Sequence, residues 1–141
     1  MKKEQLVRHE FEPVYDKNSE FLILGSFPSV KSREQGFYYG HPQNRFWKVL
    51  AAIVQEKIPD SIEEKKEMLL RNHIAVYDVI WQCKITGSSD SSIKDVVPAN
   101  ITTIVELSKI RKIYANGKLA EKLFSKYQEK KVGIKAIGLP S

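Results

Sequence analysis

Four short apolar runs, separated by segments with helical spacing, constrain this chain more than any other feature. Phe21–Gly25, Ile74–Ile80, Lys112–Ala115 and Ile134–Leu139 are rich in β-branched and aromatic residues. Each is too short for a helix and reads as a strand. Between the first two, Phe46, Trp47, Leu50, Ala51 and Val54 recur at helical spacing from Asn44 to about Gln55, with Asn44 as the N-cap. Ser61 to Asn72 predicts a second helix, because Ser61 and Glu64 match a capping box. A helix from about Asn100 to Lys109 follows Pro98, and Gly117–Lys130 predicts another with Leu119, Leu123 and Phe124 inward and lysines outward. Residues 26–43 read as one long loop. Such alternation predicts an α/β chain, a three-layer α/β/α sandwich on a four-stranded, mainly parallel sheet. The 141 residues suit a single domain.

In open sheets of this class a ligand sits beyond the carboxyl ends of the strands. Here those ends are Gly25–Ser29, the Asp78–Ser92 region, Asn116–Gly117 and Leu139–Ser141. The longest apolar stretch is only a few residues, so no membrane span is expected. Cys83 is the single cysteine, and His9, His41 and His73 lie far apart. That pattern excludes an internal disulfide and a cysteine-ligated zinc or iron–sulfur site, and neither metal nor cofactor is expected. With no secretory signal evident, a cytoplasmic location is expected, and a monomer is the default. The charge is uneven. Residues 1–100 carry 14 groups of each sign, whereas residues 101–141 carry nine basic and three acidic ones, so the whole net charge of +6 sits at the carboxyl end. A polyanion partner and a solvated lysine-rich helix face, with Lys118, Lys122 and Lys126 in a stripe, both fit that asymmetry.

Three segments carry candidate chemistry. In Gly25-Ser26-Phe27-Pro28-Ser29, glycine permits close backbone approach and Pro28 fixes the exit from the strand. In Tyr38-Tyr39-Gly40-His41-Pro42-Gln43-Asn44-Arg45-Phe46-Trp47, polar and aromatic groups crowd together. Gly87–Ser92 is a hydroxyl-rich polar loop. Together with Tyr77–Ile80, these strings resemble the uracil-DNA glycosylase superfamily over roughly residues 20–141. They are most similar to its DNA-deoxyinosine (hypoxanthine) branch, and similar also to the mismatch-specific uracil/thymine branch.

The resemblance implies a monofunctional DNA-repair glycosylase that flips a deaminated base from DNA and hydrolyses its N-glycosidic bond. Hypoxanthine is the first expectation and uracil the second. The mismatch-specific branch carries an asparagine in its first motif where this chain has Phe27, which cannot orient a water. In the deoxyinosine branch that role falls to the asparagine of the His-Pro-x-Asn-x-Phe-Trp segment, here Asn44. The resemblance also puts His41 in the catalytic set. It places Gly25, Ser26, Phe27, Pro28, Tyr39 and Phe46 around the base, and Phe27 reads either as a stacking surface or as core. Asp78 falls where relatives read the base. An ionised carboxylate only accepts hydrogen bonds, so there it would favour the N1–H of hypoxanthine over the bare N1 of adenine. Its alternative role is to cap the loop through the hydroxyls of 87–92. Ser88, Ser91, Ser92, Pro140 and Ser141 are the expected DNA contacts. Leu139-Pro140-Ser141 matches only the start of the superfamily's second motif, so the expectation is one glycosylase-like domain lacking its final loop and helix. The rival from another class is a catalytically silent DNA-binding module of the same fold.

Overall fold

A computed structural model of the chain describes residues 3–87 and 89–140. Among these residues, seven strands form two sheets. The larger contains β2 (Phe21–Gly25), β3 (Ile74–Asp78), β6 (Lys112–Asn116) and β7 (Ala136–Leu139), in the order β3-β2-β6-β7 with every pair parallel. These are the four runs read from the sequence. All five residues of β3 are buried, as befits a strand covered on both faces. Val14 closes its outer edge by exchanging both backbone hydrogen bonds with Val76.

The connections supply α1 (Val30–Gln35), α2 (Phe46–Val54), α3 (Ile62–Arg71), α4 (Ile101–Glu106), α5 (Lys118–Tyr127) and the short α6 (Glu129–Val132). Helix α3 packs on β3, and α5 packs on β6 and β7. Ser61 caps α3 through the Glu64 N–H as predicted, but the Glu64 carboxylate turns back to the N–H of Asp60 rather than of Ser61. The core runs through Leu22, Leu24, Val76, Ile113, Leu69 and Phe124, each with no accessible surface.

The structure departs from the sequence reading in several places. Residues 26–43 are not one loop, since Ser29 caps α1 within them. The helix expected to Lys109 ends at Glu106, and the one expected to Lys130 breaks at Gln128. A second, three-stranded antiparallel sheet exists, in the order β1-β4-β5, built from β1 (Glu4–Arg8), β4 (Ile80–Thr86) and β5 (Lys94–Pro98). The run Ile74–Ile80 is therefore not one strand. It divides at Val79, and its two parts enter different sheets.

Candidate active site

A cavity of about 160 Å³ lies beyond the carboxyl ends of β2, β3 and β6. A cavity of about 150 Å³ is enough to take up a benzene ring, so this one suits a single planar ring system. Its floor is the three strand ends, Gly25, Asp78 and Asn116. One wall is the exit from β2, Ser26 to Ser29, with Ser32 of α1. The other is Tyr38, Tyr39 and Asn44 from the approach to α2.

Asp78 is the charged group of the floor and is only 4% exposed. Its Oδ2 lies 2.7 Å from His9 Nε2, and the His9 side chain is wholly buried. A carboxylate has no proton to give, so Nε2–H donates. The antiparallel register of β1 and β4 delivers this histidine. Arg8 stands opposite Gln82, and the His9 N–H continues the ladder to the Trp81 carbonyl at 2.7 Å. That step brings His9 beside the junction where β3 becomes β4.

Gly25 makes room for the carboxylate. A Cβ built there would collide with Asp78 Oδ1 and stand 3.3 Å from the Tyr39 hydroxyl. Oδ1 is thus the oxygen turned toward Gly25 and Tyr39. The Gly25 carbonyl accepts from Val79 N–H at 2.8 Å and the Ser26 carbonyl from Ile80 N–H at 3.1 Å, which pins the β2 exit to the same junction.

The tyrosines respond to that charge. Burial, then the Asp78 carboxylate, pushes the Tyr38 and Tyr39 phenols far above their ordinary range, and the same two causes raise Tyr77. All three keep their protons at any working pH. Tyr38 donates to the Glu12 carbonyl at 2.7 Å, while the Tyr39 hydroxyl accepts from Asn116 Nδ2 at 3.3 Å. Tyr39 has φ 53°, a left-handed conformation that is costly for a bulky residue. Its ring lies flat on Phe46, with centroids 3.8 Å apart and planes 12° apart, so stacking and the Asn116 contact hold it in that turn.

Asn44 stands exposed at the cavity mouth. Its Oδ1 accepts from Phe46 N–H at 2.8 Å, and its own N–H donates to the His41 carbonyl at 2.9 Å. The helix-capping role read from the sequence is not present: the N-cap of α2 is Arg45, without a side-chain cap bond, and the Asn44 bond closes a turn one residue ahead of it. The same bond fixes which end of the amide is oxygen, and that oxygen keeps a second lone pair free for a water.

The remaining expected residues fall in several places. Gly25, Ser26, Phe27, Pro28, Tyr39, Asn44 and Asp78 come together around the cavity. Phe27 is half-buried, edge-on to His9 with centroids 6.2 Å apart, and Arg33 lies 5.8 Å over its ring. Phe46 supports Tyr39 rather than lining the cavity. With Asn44, Asn116, Val49, Ile53 and Pro140 it lines an adjoining apolar groove of about 660 Å³. His41 is not brought to the cavity. It is exposed, and its Nδ1 accepts from Gln43 N–H at 3.1 Å, a turn role. Ser92 bonds Thr86 N–H and the Ser89 carbonyl, and Ser91 pairs with Ser89, so both are engaged within their loop. Asp78 bonds His9, not that loop. Ser88 and Ser141 lie outside the described residues.

Sequence reasoning missed three participants. His9 had no local signal. Asn116 was marked only as a strand end. Arg33 donates to the Gly87 carbonyl at 2.9 Å and so ties the serine loop to α1. Among the described residues, no group of three or more His, Cys, Asp or Glu side chains could hold a metal ion, and no helix is long and apolar enough to cross a membrane.

Comparison with known proteins supplies context for this geometry. Residues 12–140 match the Uracil DNA glycosylase superfamily. A protein named hypoxanthine DNA glycosylase from Methanosarcina barkeri is 36% identical over 110 residues, which cover 77% of this chain and 70% of that protein. Its namesake from Methanosarcina acetivorans is 37% identical over 117 residues, covering 82% and 74%. The solution structure of a candidate uracil DNA glycosylase from Methanosarcina acetivorans superposes with a TM-score of 0.83 at 33% identity, covering 97% of this chain and 84% of that one.

Proposed function

The chain belongs to the uracil DNA glycosylase superfamily, and we propose that its cavity receives hypoxanthine flipped out of deaminated DNA. It is a DNA-repair glycosylase that hydrolyses the N-glycosyl bond of deaminated bases, and DNA is its substrate. The choice of hypoxanthine rests on one observation: the only charged group on the cavity floor, Asp78, is a buried carboxylate with one oxygen turned inward. Hypoxanthine offers it the N1–H donor, whereas adenine offers a lone pair. An unpaired acceptor facing a buried carboxylate is rejected far more strongly than a misfit in an apolar pocket. Uracil offers N3–H in the same manner and is the second substrate.

Each neighbour has a part in this reading. Asn44 holds the attacking water on the free lone pair of Oδ1, its amide kept in place by Phe46 N–H. The Tyr39 hydroxyl and Asn116 amide form a second polar point on the floor, across Gly25 from Asp78. Phe27 offers its ring to the base, with Arg33 above it carrying a charge toward the serine loop and the phosphates. The leaving base departs as an anion, and in this reading the backbone N–H groups of Ser26 and Phe27, on the cavity wall, stabilise it. We take a monomer as its working state and the cytoplasm as its location.

The test is base release from duplexes containing inosine, uracil or a T:G mismatch, run with the wild-type chain and Asn44→Ala. Release of hypoxanthine above uracil, with a loss of at least about 100-fold in the variant, is expected. A variant that turns over normally overturns the role of Asn44. Binding of inosine-containing DNA without release by the wild-type chain favours the silent binding module. Preferential release from T:G favours the mismatch-specific reading.

A further inference from the structure

His9 is an odd residue to bury. Its side chain has no accessible surface, and its Nδ1 has no hydrogen-bond partner. Four rings surround it: Phe11, Tyr38, Tyr77 and Phe27, with centroids 4.6, 5.8, 4.9 and 6.2 Å away. A leucine or phenylalanine would fill such an aromatic box without orphaning a nitrogen. Space-filling therefore does not account for an imidazole here. The one thing it supplies that an apolar side chain cannot is the Nε2–H delivered to Asp78 Oδ2 at 2.7 Å.

That bond has a specific effect on the cavity. A free carboxylate turns readily about its last torsion and presents either oxygen over a broad arc. Such a group accepts the N1–H of hypoxanthine, but after a small turn it also accepts the exocyclic amine of adenine. Asp78 is not free to turn. Oδ2 is bound to His9, which leaves Oδ1 on the side of Gly25 and the Tyr39 hydroxyl. We infer that His9 is a specificity-determining positioning residue: it locks the Asp78 carboxylate so that a single acceptor oxygen faces the base-binding cavity. The inference rests on Asp78 as the base-reading group.

Two further details agree with this assignment. Among the described residues, Asp78 is the hydrogen-bond partner of the imidazole and Nδ1 has none, so no other polar group competes for it. The histidine also comes from the antiparallel sheet, whereas the aspartate ends a strand of the parallel sheet, so the bond spans two separately built frameworks.

The experiment uses the full chain carrying His9→Leu, His9→Gln or Asp78→Asn, with single-turnover release measured over a range of enzyme concentrations on inosine- and adenine-containing duplexes. Glutamine carries an N–H at a reach similar to Nε2, and leucine carries none. In His9→Leu the half-saturating concentration on inosine rises about tenfold, the saturated rate stays within about threefold, and the preference for inosine over adenine falls. His9→Gln restores the half-saturation and the preference. A folded His9→Leu with wild-type half-saturation and preference overturns the inference, as does a His9→Gln no better than the leucine variant, which would mark ring packing. Asp78→Asn separates the two levels. If it leaves the preference unchanged, the base-reading role of Asp78 fails. If it abolishes the preference while His9→Leu does not, only the role of His9 fails. Should the leucine variant not fold, nitrogen NMR on the wild-type chain decides. Protonated Nε2 and bare Nδ1 are expected, and an Nε2 without a proton overturns the proposal.

Discussion

Replacing Gly25 by alanine sets two opposing effects against each other. Gly25 is not among the residues with positive φ, so alanine adopts its backbone without strain. On that count the substitution stabilises by about 0.4–1 kcal/mol, by restricting the unfolded chain. The new methyl, however, would collide with Asp78 Oδ1 and press on the Tyr39 hydroxyl 3.3 Å away. The carboxylate cannot swing aside while His9 holds Oδ2, so the backbone or the His9–Asp78 hydrogen bond must give. Overpacking of this kind costs about 1–3 kcal/mol. The clash wins, with a net loss of about 1–2 kcal/mol, which for a domain of this size lowers the melting temperature by roughly 3–8 °C. Activity suffers separately, because the methyl occupies the space into which Oδ1 points. Losing one hydrogen bond to a charged group, about 1.5–3 kcal/mol, slows hypoxanthine release by roughly 10- to 150-fold at subsaturating enzyme. Gly133→Ala is the control. Gly133 has φ 79° and nothing within 4 Å of its missing Cβ, so alanine there is strained by the backbone alone. It destabilises by about 1–2 kcal/mol and leaves release unchanged. Thermal melts and single-turnover release on both variants give the answer. A Gly25→Ala chain that melts no lower than wild type and releases hypoxanthine at the wild-type rate refutes the placement of Oδ1.

Other variants probe the remaining groups. Asp78→Asn replaces a pure acceptor by a group that can also donate, so the preference for inosine over adenine falls by about 10- to 100-fold, read from paired release assays. Asn44→Asp keeps the acceptor for Phe46 N–H, so it melts close to wild type, whereas Asn44→Ala loses that hydrogen bond and about 1 kcal/mol in denaturant unfolding. Aspartate still offers a lone pair to the water, so its release rate lies above that of the alanine variant. Lys118 opens α5 two residues beyond Asn116, and Lys126 lies about 12 Å further along the axis. Lys118→Ala reduces the slope of log binding constant against log salt by about 1, and Lys126→Ala leaves it unchanged, as DNA titrations at several ionic strengths would report.

The parallel sheet was legible in the sequence because buried parallel strands are written as unbroken apolar runs, as in Phe-Leu-Ile-Leu-Gly. The antiparallel sheet was not, because its outer strands do not bury a clean face. Glu4-Gln5-Leu6-Val7-Arg8 is almost wholly exposed, and Lys94-Asp95-Val96-Val97-Pro98 little less so. Strand β4 was hidden by continuity, since one residue, Val79, separates it from β3. The site shows the same division. Gly25, Asn44 and Asp78 stand in strings whose composition sets them apart. His9 stands in Arg-His-Glu-Phe-Glu-Pro, which signals nothing, and its partner is 69 residues away. Only the register of β1 on β4 brings the two together.

Where that register ends has a bearing on fidelity over time. Strand β1 lies at an edge of its sheet and buries little of its own surface. Strands of this kind open most often in native-state fluctuations. Each opening that runs past Arg8 withdraws the imidazole from Asp78 while leaving the parallel sheet, Asn44 and the cavity in place. The open form is then an enzyme that still cuts but chooses less well. Error frequency would follow the amide exchange rates of residues 5–9 rather than the global melting point, and an added pairing residue in β1 would sharpen base choice without touching the active site.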